Sequence, residues 1–358
     1  MSWTEPVPSS SEAPDAVLTR LTSICTDRGL DSLGARLAEL GALVGEDMAS
    51  LEGALGAIHT EQNVVTASGM HLLHLGGKRL RPLCVMLASR VGGGFDERAR
   101  DLAVAVELVH AATLLHDDVV DVGDQRRGKP AARTLYGNAA SIFAGDWLLI
   151  EALRLVRGAR VEGTLDRLLG IIEEMIFAEA IQLERRGTLE LSRDAWLRVV
   201  EGKTAALFRW AMFAGARAGG LAEAESRALE GYGQDLGVAF QAVDDLLDLT
   251  GDAIVTGKAL FTDVREGKLT YPLLVALERE PSLRGALEQI AASEPGAEDP
   301  AATQRLLAGL EATGAVNECM ALARRRSDSA VARLDELPDG AAKQALATLA
   351  VAAVDRRQ

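Results

Sequence analysis

Residues 102–121 read LAVAVELVHAATLLHDDVVD, and this stretch decides the fold class. From Leu102 to Leu115 it is apolar nearly all round, broken only by Glu107 and His110. That pattern predicts a buried helix. It then runs directly into three carboxylates, Asp117, Asp118 and Asp121. A second segment, GVAFQAVDDLLDL at 237–249, repeats the design and ends in Asp244, Asp245 and Asp248. Outward from these two segments, most of the chain repeats apolar residues at three- and four-residue spacing. Ala, Leu, Glu and Arg, all good helix formers, dominate. Alternating β-branched runs bounded by turns are missing, so the sequence predicts no sheet. Gly76-Gly77, Gly92 to Gly94, Gly219-Gly220 and Pro295 to Pro300 read as loops between helices. The expected class is all-α. The expected organisation is a flexible tail at 1–16 followed by one helical domain at 17–358.

Composition narrows the function. Lys and Arg total 38 against 52 Asp and Glu, a formal net charge of −14. Binding to phosphodiesters needs a basic face, so nucleic acid is not the expected partner. Three isolated cysteines suit a reducing compartment and argue against a disulfide scaffold or a zinc cluster. No apolar run is long enough for a membrane span, and the N-terminus lacks a signal pattern, so a cytoplasmic protein is expected.

On a helix, residues i and i+4 lie one turn apart on the same face. Asp117 therefore stacks with Asp121, and Asp244 with Asp248. Like charges so close repel unless a cation neutralises them. Magnesium fits, because it accepts few protein carboxylates and keeps places for water and substrate phosphates. Either acidic cluster alone reads equally well as a solvated helix face. Two copies, each in a helix that otherwise reads as buried, favour metal binding, since unpaired buried carboxylates are too costly.

Two basic groups stand out against the negative background: GGKRLRP at 76–82 and RRGKP at 126–130. Arginine offers paired bonds to phosphate, and adjacent glycines let backbone approach an anion. Neither group is a dinucleotide fingerprint or a P-loop. Carboxylates for magnesium plus several phosphate-binding cations imply a diphosphate substrate. An apolar helix leading into that site implies a greasy tail, hence a prenyl diphosphate.

With these blocks the sequence closely resembles the trans-type polyprenyl diphosphate synthases. The resemblance rests on 76–82, ELVHAATLLHDDVVD at 107–121, and 126–130. It continues through Gly137-Asn138, Gly145-Asp146, GKTA at 202–205, the 237–248 segment, Gly257-Lys258 and DVREGKLTYPL at 263–273. These run in the family's order over about residues 50–280. The resemblance implies an all-α isoprenoid synthase type bundle of antiparallel helices around a central cavity, and a homodimer. It implies that Asp117, Asp118, Asp121, Asp244 and Asp248 hold magnesium, three ions with substrate bound. It implies that Arg126, Lys203, Thr204, Gln241, Lys258 and Lys268 hold the allylic diphosphate. Gly77, Lys78, Arg81, His110 and Arg127 are then expected to hold isopentenyl diphosphate. His116 reads as structural.

Product length is expected to depend on what lies beneath Asp117. A helical turn rises 5.4 Å, similar to one extended isoprene unit. Ala112 and Thr113 lie about one turn below, then Val109 and Leu108, then Ala105. In the family, bulky aromatics at the first two positions floor the pocket. Here both are small, so the expected product is C25 or longer, with geranylgeranyl diphosphate (C20) the alternative. A class I terpene cyclase is a rival, but the chain lacks an Asn-Ser-Glu motif. A non-catalytic partner subunit is another, but both Asp-rich clusters are whole.

Overall fold

The computed structural model describes residues 31–58, 61–190, 192–250, 260–294 and 296–355. The expected N-terminal tail and Lys258 lie outside the described residues.

The architecture is helical, as the periodicity requires. Helices α1 (Asp31–Gly56), α2 (Val64–His74), α3 (Leu80–Val91) and α4 (Glu97–Val120) come first. A two-residue antiparallel ribbon follows, β1 (Gln125–Arg126) paired with β2 (Lys129–Pro130). The sequence pattern did not anticipate this ribbon. It is a turn at Arg127-Gly128, both at positive φ, and too short to carry an alternating signal. Then come α5 (Ala132–Tyr136), α6 (Asn138–Ala159), α7 (Thr164–Arg185) and α8 (Arg193–Val200). A π-helical turn, Glu201–Ala205, joins α8 to α9 (Ala206–Ala218), and α10 (Glu223–Thr250) follows. The remainder is α11 (Thr262–Arg265), α12 (Tyr271–Arg279), α13 (Arg284–Ala291), α14 (Pro300–Ala312), α15 (Ala315–Arg333) and α16 (Ala341–Asp355).

Local chemistry starts several helices. Asn63 accepts the N–H groups of Val65 and Thr66 at 2.9 and 3.0 Å, and Thr66 Oγ1 accepts the Asn63 N–H, closing a capping box. Asp96 caps α4 and Ser192 caps α8. Asp299 caps α14, with Pro300 at its first position.

Helix α4 packs along α6, and α10 packs along α9 and α15. The long α10 contributes to both apolar clusters of the interior. Its first half joins α1–α4, α6 and α9, and its second half joins α8 and α12–α15. The two Asp-rich segments thus sit on central helices, each held on several sides.

Candidate active site

Toward the end of α4, His110, Thr113, Leu114 and Asp117, with Asp121 just past it, keep solvent contact at helical spacing along one stripe, and His116, Val119 and Val120 keep it beside them. On the Asp-rich segment of α10, Gln241, Asp244 and Asp248 are half-buried, as are Phe240 and Leu247. In each cluster the middle aspartate turns inward: Asp118 is 1% exposed and Asp245 is 2% exposed. The doublet spacing forces this, since neighbouring helical positions face about 100° apart.

The carboxylates of the first cluster each meet a cation. Lys203 lies 3.4 Å from Asp117 and also bonds Glu179 and, at 3.0 Å, Gln182 on α7. Arg126 bonds Asp118 through Nε at 3.1 Å and through Nη2. Lys268 bonds Asp121 at 2.7 Å, and Arg186 lies 3.3 Å from the same carboxylate. Burial pushes the Asp117 carboxyl above its usual range, against Lys203 and helped by Glu179 and Asp121. Burial opposes the Lys268 charge, but Glu266 and Asp121 outweigh it and hold its ammonium above the ordinary lysine value. These interactions place acidic and basic groups of α4, α7, the π turn and residue 268 around one cleft.

Lys203 and Thr204 owe their position to the π turn. Gly202 within it lies against α7, where an added Cβ would stand 2.7 Å from Ala178 Cβ. Thr204 Oγ1 bonds Gln241 Oε1 at 2.9 Å, and Gln241 Nε2 bonds Asp245 at 2.9 Å. Asp245 also accepts the indole N–H of Trp196 at 2.9 Å and the backbone N–H of Tyr271 at 3.0 Å. Burial, then the charge of Asp263, push its carboxyl up to about 7, and these hydrogen bonds oppose the shift.

The second basic region forms beside the first. Arg79 takes a left-handed backbone, φ 47°, and buries its guanidinium against Glu107 at 2.5 Å and Glu52 at 2.8 Å. That makes it a structural member of the GGKRLRP block and leaves Lys78 exposed. The Arg81 guanidinium lies 4.8 Å from the Phe208 ring centroid, and its Nε is buried without a hydrogen-bond partner. The Arg127 guanidinium rests on Gly77, where any Cβ would stand 2.9 Å from Nη2. His110 stands within the field of these groups. Burial, then Arg81, Arg127, Arg126 and Arg79, hold its imidazole well below the usual histidine value, so it is neutral at pH 7. Burial also lowers the Arg81 and Arg127 values, partly offset by Glu107. Asp244 acts electrostatically on Arg81, which puts the second acidic cluster beside the second basic region.

Some expected residues have other engagements. Both Asp248 carboxylate oxygens accept backbone N–H groups, from Thr262 at 3.0 Å and Asp263 at 3.3 Å, at the start of α11. Ala105, Leu108, Val109 and Ala112 are buried within the packing of α4, whereas Thr113 lies on the open stripe. His116 bonds Ile142 O at 3.1 Å and packs on Gly145, a structural role. Among the described residues, no three carboxylate, thiol or imidazole side chains converge into a complete ion site by themselves. The donor set still fits magnesium. It is all carboxylate oxygen, and Asp118 Oδ2 is buried with no hydrogen-bond partner.

Sequence reasoning missed Arg186, Glu179, Gln182 and Trp196. Arg186 also bonds Val120 O and Glu266 O, both at 3.0 Å, so it ties the end of α4 to the end of α11. A signal existed for it: Arg185-Arg186-Gly187 repeats the Arg-Arg-Gly of 126–128. Glu179, Gln182 and Trp196 carried none, because each matters only through a partner distant in sequence.

The polyprenyl synthetase family model matches residues 62–307. The octaprenyl diphosphate synthase of Escherichia coli (strain K12) is 33% identical over 326 residues, 89% of this chain and 99% of that one. Among solved structures, a polyprenyl synthase from Caulobacter crescentus CB15, complexed with calcium and isoprenyl diphosphate, superposes with a TM-score of 0.79. It is 34% identical, and the match covers 99% of this chain and 100% of that one. A decaprenyl diphosphate synthase from Rhodobacter capsulatus superposes at 0.80 with 34% identity, covering 89% and 98%.

Proposed function

Since this chain belongs to the polyprenyl synthetase family and is a prenyltransferase, we propose that it condenses isopentenyl diphosphate with an allylic prenyl diphosphate, head to tail, to make a long-chain polyprenyl diphosphate. One observation carries the reading. The Asp117–Asp121 stripe, ringed by Lys203, Lys268, Arg126 and Arg186, adjoins a second basic region around a neutral His110. Two anionic groups can therefore be held side by side.

Asp117, Asp118, Asp121 and Asp244 would hold magnesium, three ions being the family expectation, while Asp248 serves the start of α11. When bound, magnesium neutralises charge on the allylic diphosphate as it departs. Lys203, Lys268 and Arg126 hold that diphosphate and stabilise the negative charge that grows as the allylic C–O bond breaks. Lys78, Arg81 and Arg127 grip isopentenyl diphosphate, and Gly77 lets Arg127 close in. A neutral His110 contributes hydrogen bonds without adding charge. The isopentenyl double bond then attacks the electron-poor allylic carbon, and the proton it loses passes to the released diphosphate. Apolar walls on α4 and α9 keep water from the cation.

The product reading is C25 or longer. Small side chains at Ala112 and Thr113 support it, as do octaprenyl and decaprenyl synthases among the relatives. Geranylgeranyl diphosphate has less support. The reading includes a homodimer. Ile142, Phe143 and Ile150 on α6, with Leu169, Ile176 and Phe177 on α7, expose an apolar face of the kind that marks a protein interface. It also includes a cytoplasmic location, which buried free Cys84 and Cys319 suit. Among the described residues no helix is long and apolar enough to cross a membrane.

The test is incubation with isopentenyl diphosphate, magnesium and each allylic primer in turn, followed by mass analysis of the extracted prenyl alcohols. Elongation past farnesyl length is expected. No elongation with any primer refutes the reading, and cyclic hydrocarbon from farnesyl diphosphate alone replaces it with a cyclase.

A further inference from the structure

The β1–β2 ribbon carries both Arg126 and Arg127, yet nothing apolar holds it in place. No residue from Val122 to Pro130 belongs to either apolar cluster of the interior, and Gln125 and Gly128 to Pro130 are exposed. Its position is therefore set by polar contacts. The chain enters the ribbon through Val122, a β-branched residue at φ 56° and 65% exposed. A left-handed backbone is strained for valine, and the exposed side chain gains no burial in return. The Arg133 guanidinium, on α5, answers this turn. Its Nε donates to Gly123 O, and its Nη2 donates to Val122 O and to the Asp124 carboxylate, all at 2.9 Å. Beside it, Thr134 Oγ1 donates to Asp124 O at 3.1 Å. At the far end of the ribbon, His71 Nε2 on α2 lies 3.0 Å from Pro130 O. A carbonyl only accepts and a guanidinium only donates, so the direction of the Arg133 clamp does not depend on protonation.

We propose that Arg133 is a positioning residue: by pinning the strained turn at 122–124 it sets where the ribbon presents Arg127 to isopentenyl diphosphate. Without the clamp, Val122 relaxes toward an ordinary backbone and the ribbon swings with it. Arg127, at the tip, then leaves its place on Gly77. Arg126 sits nearer the base and keeps its own bond to Asp118, so it moves less. Substrate binding must then restore the ribbon, and the lost preorganisation weakens binding. The inference rests on the prenyl-transfer reading, since it needs Arg127 to meet a diphosphate.

Arg133→Gln supplies the test, with steady-state kinetics in each substrate. The KM for isopentenyl diphosphate is expected to rise about tenfold, the effect of weakening one charge-assisted hydrogen bond. The KM for the allylic primer rises less, and kcat at saturation stays within about threefold, because the clamp acts on binding and not on the reacting bond. Val122→Gly separates positioning from direct contact. Glycine adopts the left-handed backbone freely, so the turn no longer needs the clamp. Adding Val122→Gly to Arg133→Gln is expected to recover most of the KM. Where Arg133→Gln folds poorly, Arg133→Lys takes its place. It keeps the charge, but one ammonium does not reproduce the fork across two carbonyls, so the same split is expected at smaller amplitude. An unchanged KM for isopentenyl diphosphate in the folded variant overturns the inference. So does a loss confined to kcat. A raised KM that Val122→Gly leaves uncorrected also overturns it, because Arg133 then grips the diphosphate itself. A wild-type protein that elongates no primer refutes the prenyl-transfer reading. An active wild type whose variants keep their KM refutes only this inference.

Discussion

Gly202→Ala is the most informative single perturbation of this site. Gly202 is buried in the π turn that presents Lys203 and Thr204, and α7 lies directly against it. A Cβ there would stand 2.7 Å from Ala178 Cβ and 3.0 Å from the Glu174 carbonyl oxygen. Ordinary contact begins near 3.4 Å, so the turn and α7 must separate by about 0.7 Å at that point, an overpacking that costs about 1–3 kcal/mol. The consequence for chemistry is larger than that for stability. Lys203 hangs between Glu179 and Gln182 on α7 and Asp117 on α4, and the forced movement is along the line that separates them. Misplacing a reacting group by about 1 Å can cost about 10²-fold in rate. We expect kcat for diphosphate release to fall by roughly 10- to 100-fold on the same rule. Thermal melting should show a folded protein. Ala178→Gly in the Gly202→Ala background removes the nearest obstacle but leaves the Glu174 carbonyl, so partial recovery is expected. A variant that melts lower yet retains the wild-type kcat would refute the reasoning, because the contact would then be only structural.

Phenylalanine at Thr113 or Ala112 should shorten the product, read by mass analysis of the prenyl alcohols. Thr113→Phe is expected to act more strongly, since Thr113 lies on the open stripe below Asp117 and Ala112 is packed away; an unchanged product spectrum in both would show that α4 does not form the floor. Glu107→Gln removes one of the two carboxylate charges that answer the buried Arg79 guanidinium, leaving Glu52 at 2.8 Å as its carboxylate partner. Removing one partner of a buried pair costs about 3–5 kcal/mol, so a lower denaturation midpoint is expected, and an unshifted one would show that the pair contributes nothing. His110 should stay neutral through the neutral pH range in an NMR titration. Only the unfolded chain takes up that proton as pH falls through about 6.5, so its contribution to stability is complete above that value and is lost as pH drops further. A His110 ring that titrates with its ordinary value would contradict its placement among Arg81, Arg126 and Arg127.

Much of this was legible in one dimension. The apolar run from Leu102 to Leu115 required a buried helix, and the i, i+4 spacing of Asp117 and Asp121 required a shared face. Both hold in three dimensions, because helical periodicity is a local property of the chain. The GGKRLRP block was legible as a basic group but not in its internal division of labour. Arg79 turns inward because Glu107 and Glu52, from other helices, neutralise it there. No spacing rule could separate it from Lys78 or Arg81. Asp248 reads as an ion ligand by its i, i+4 relation to Asp244, yet the fold draws it to the start of α11.

Residue type and period alone therefore determined the helical class, the two acidic faces and the kind of molecule they attract. Those depend on side-chain chemistry and on neighbours within a turn or two. Which donor answers which carboxylate was decided only when distant helices packed. Lys268 meets Asp121, and Trp196 meets Asp245, across large separations in sequence. Such pairings follow from packing and burial, which charge or period cannot encode before the chain has closed on itself.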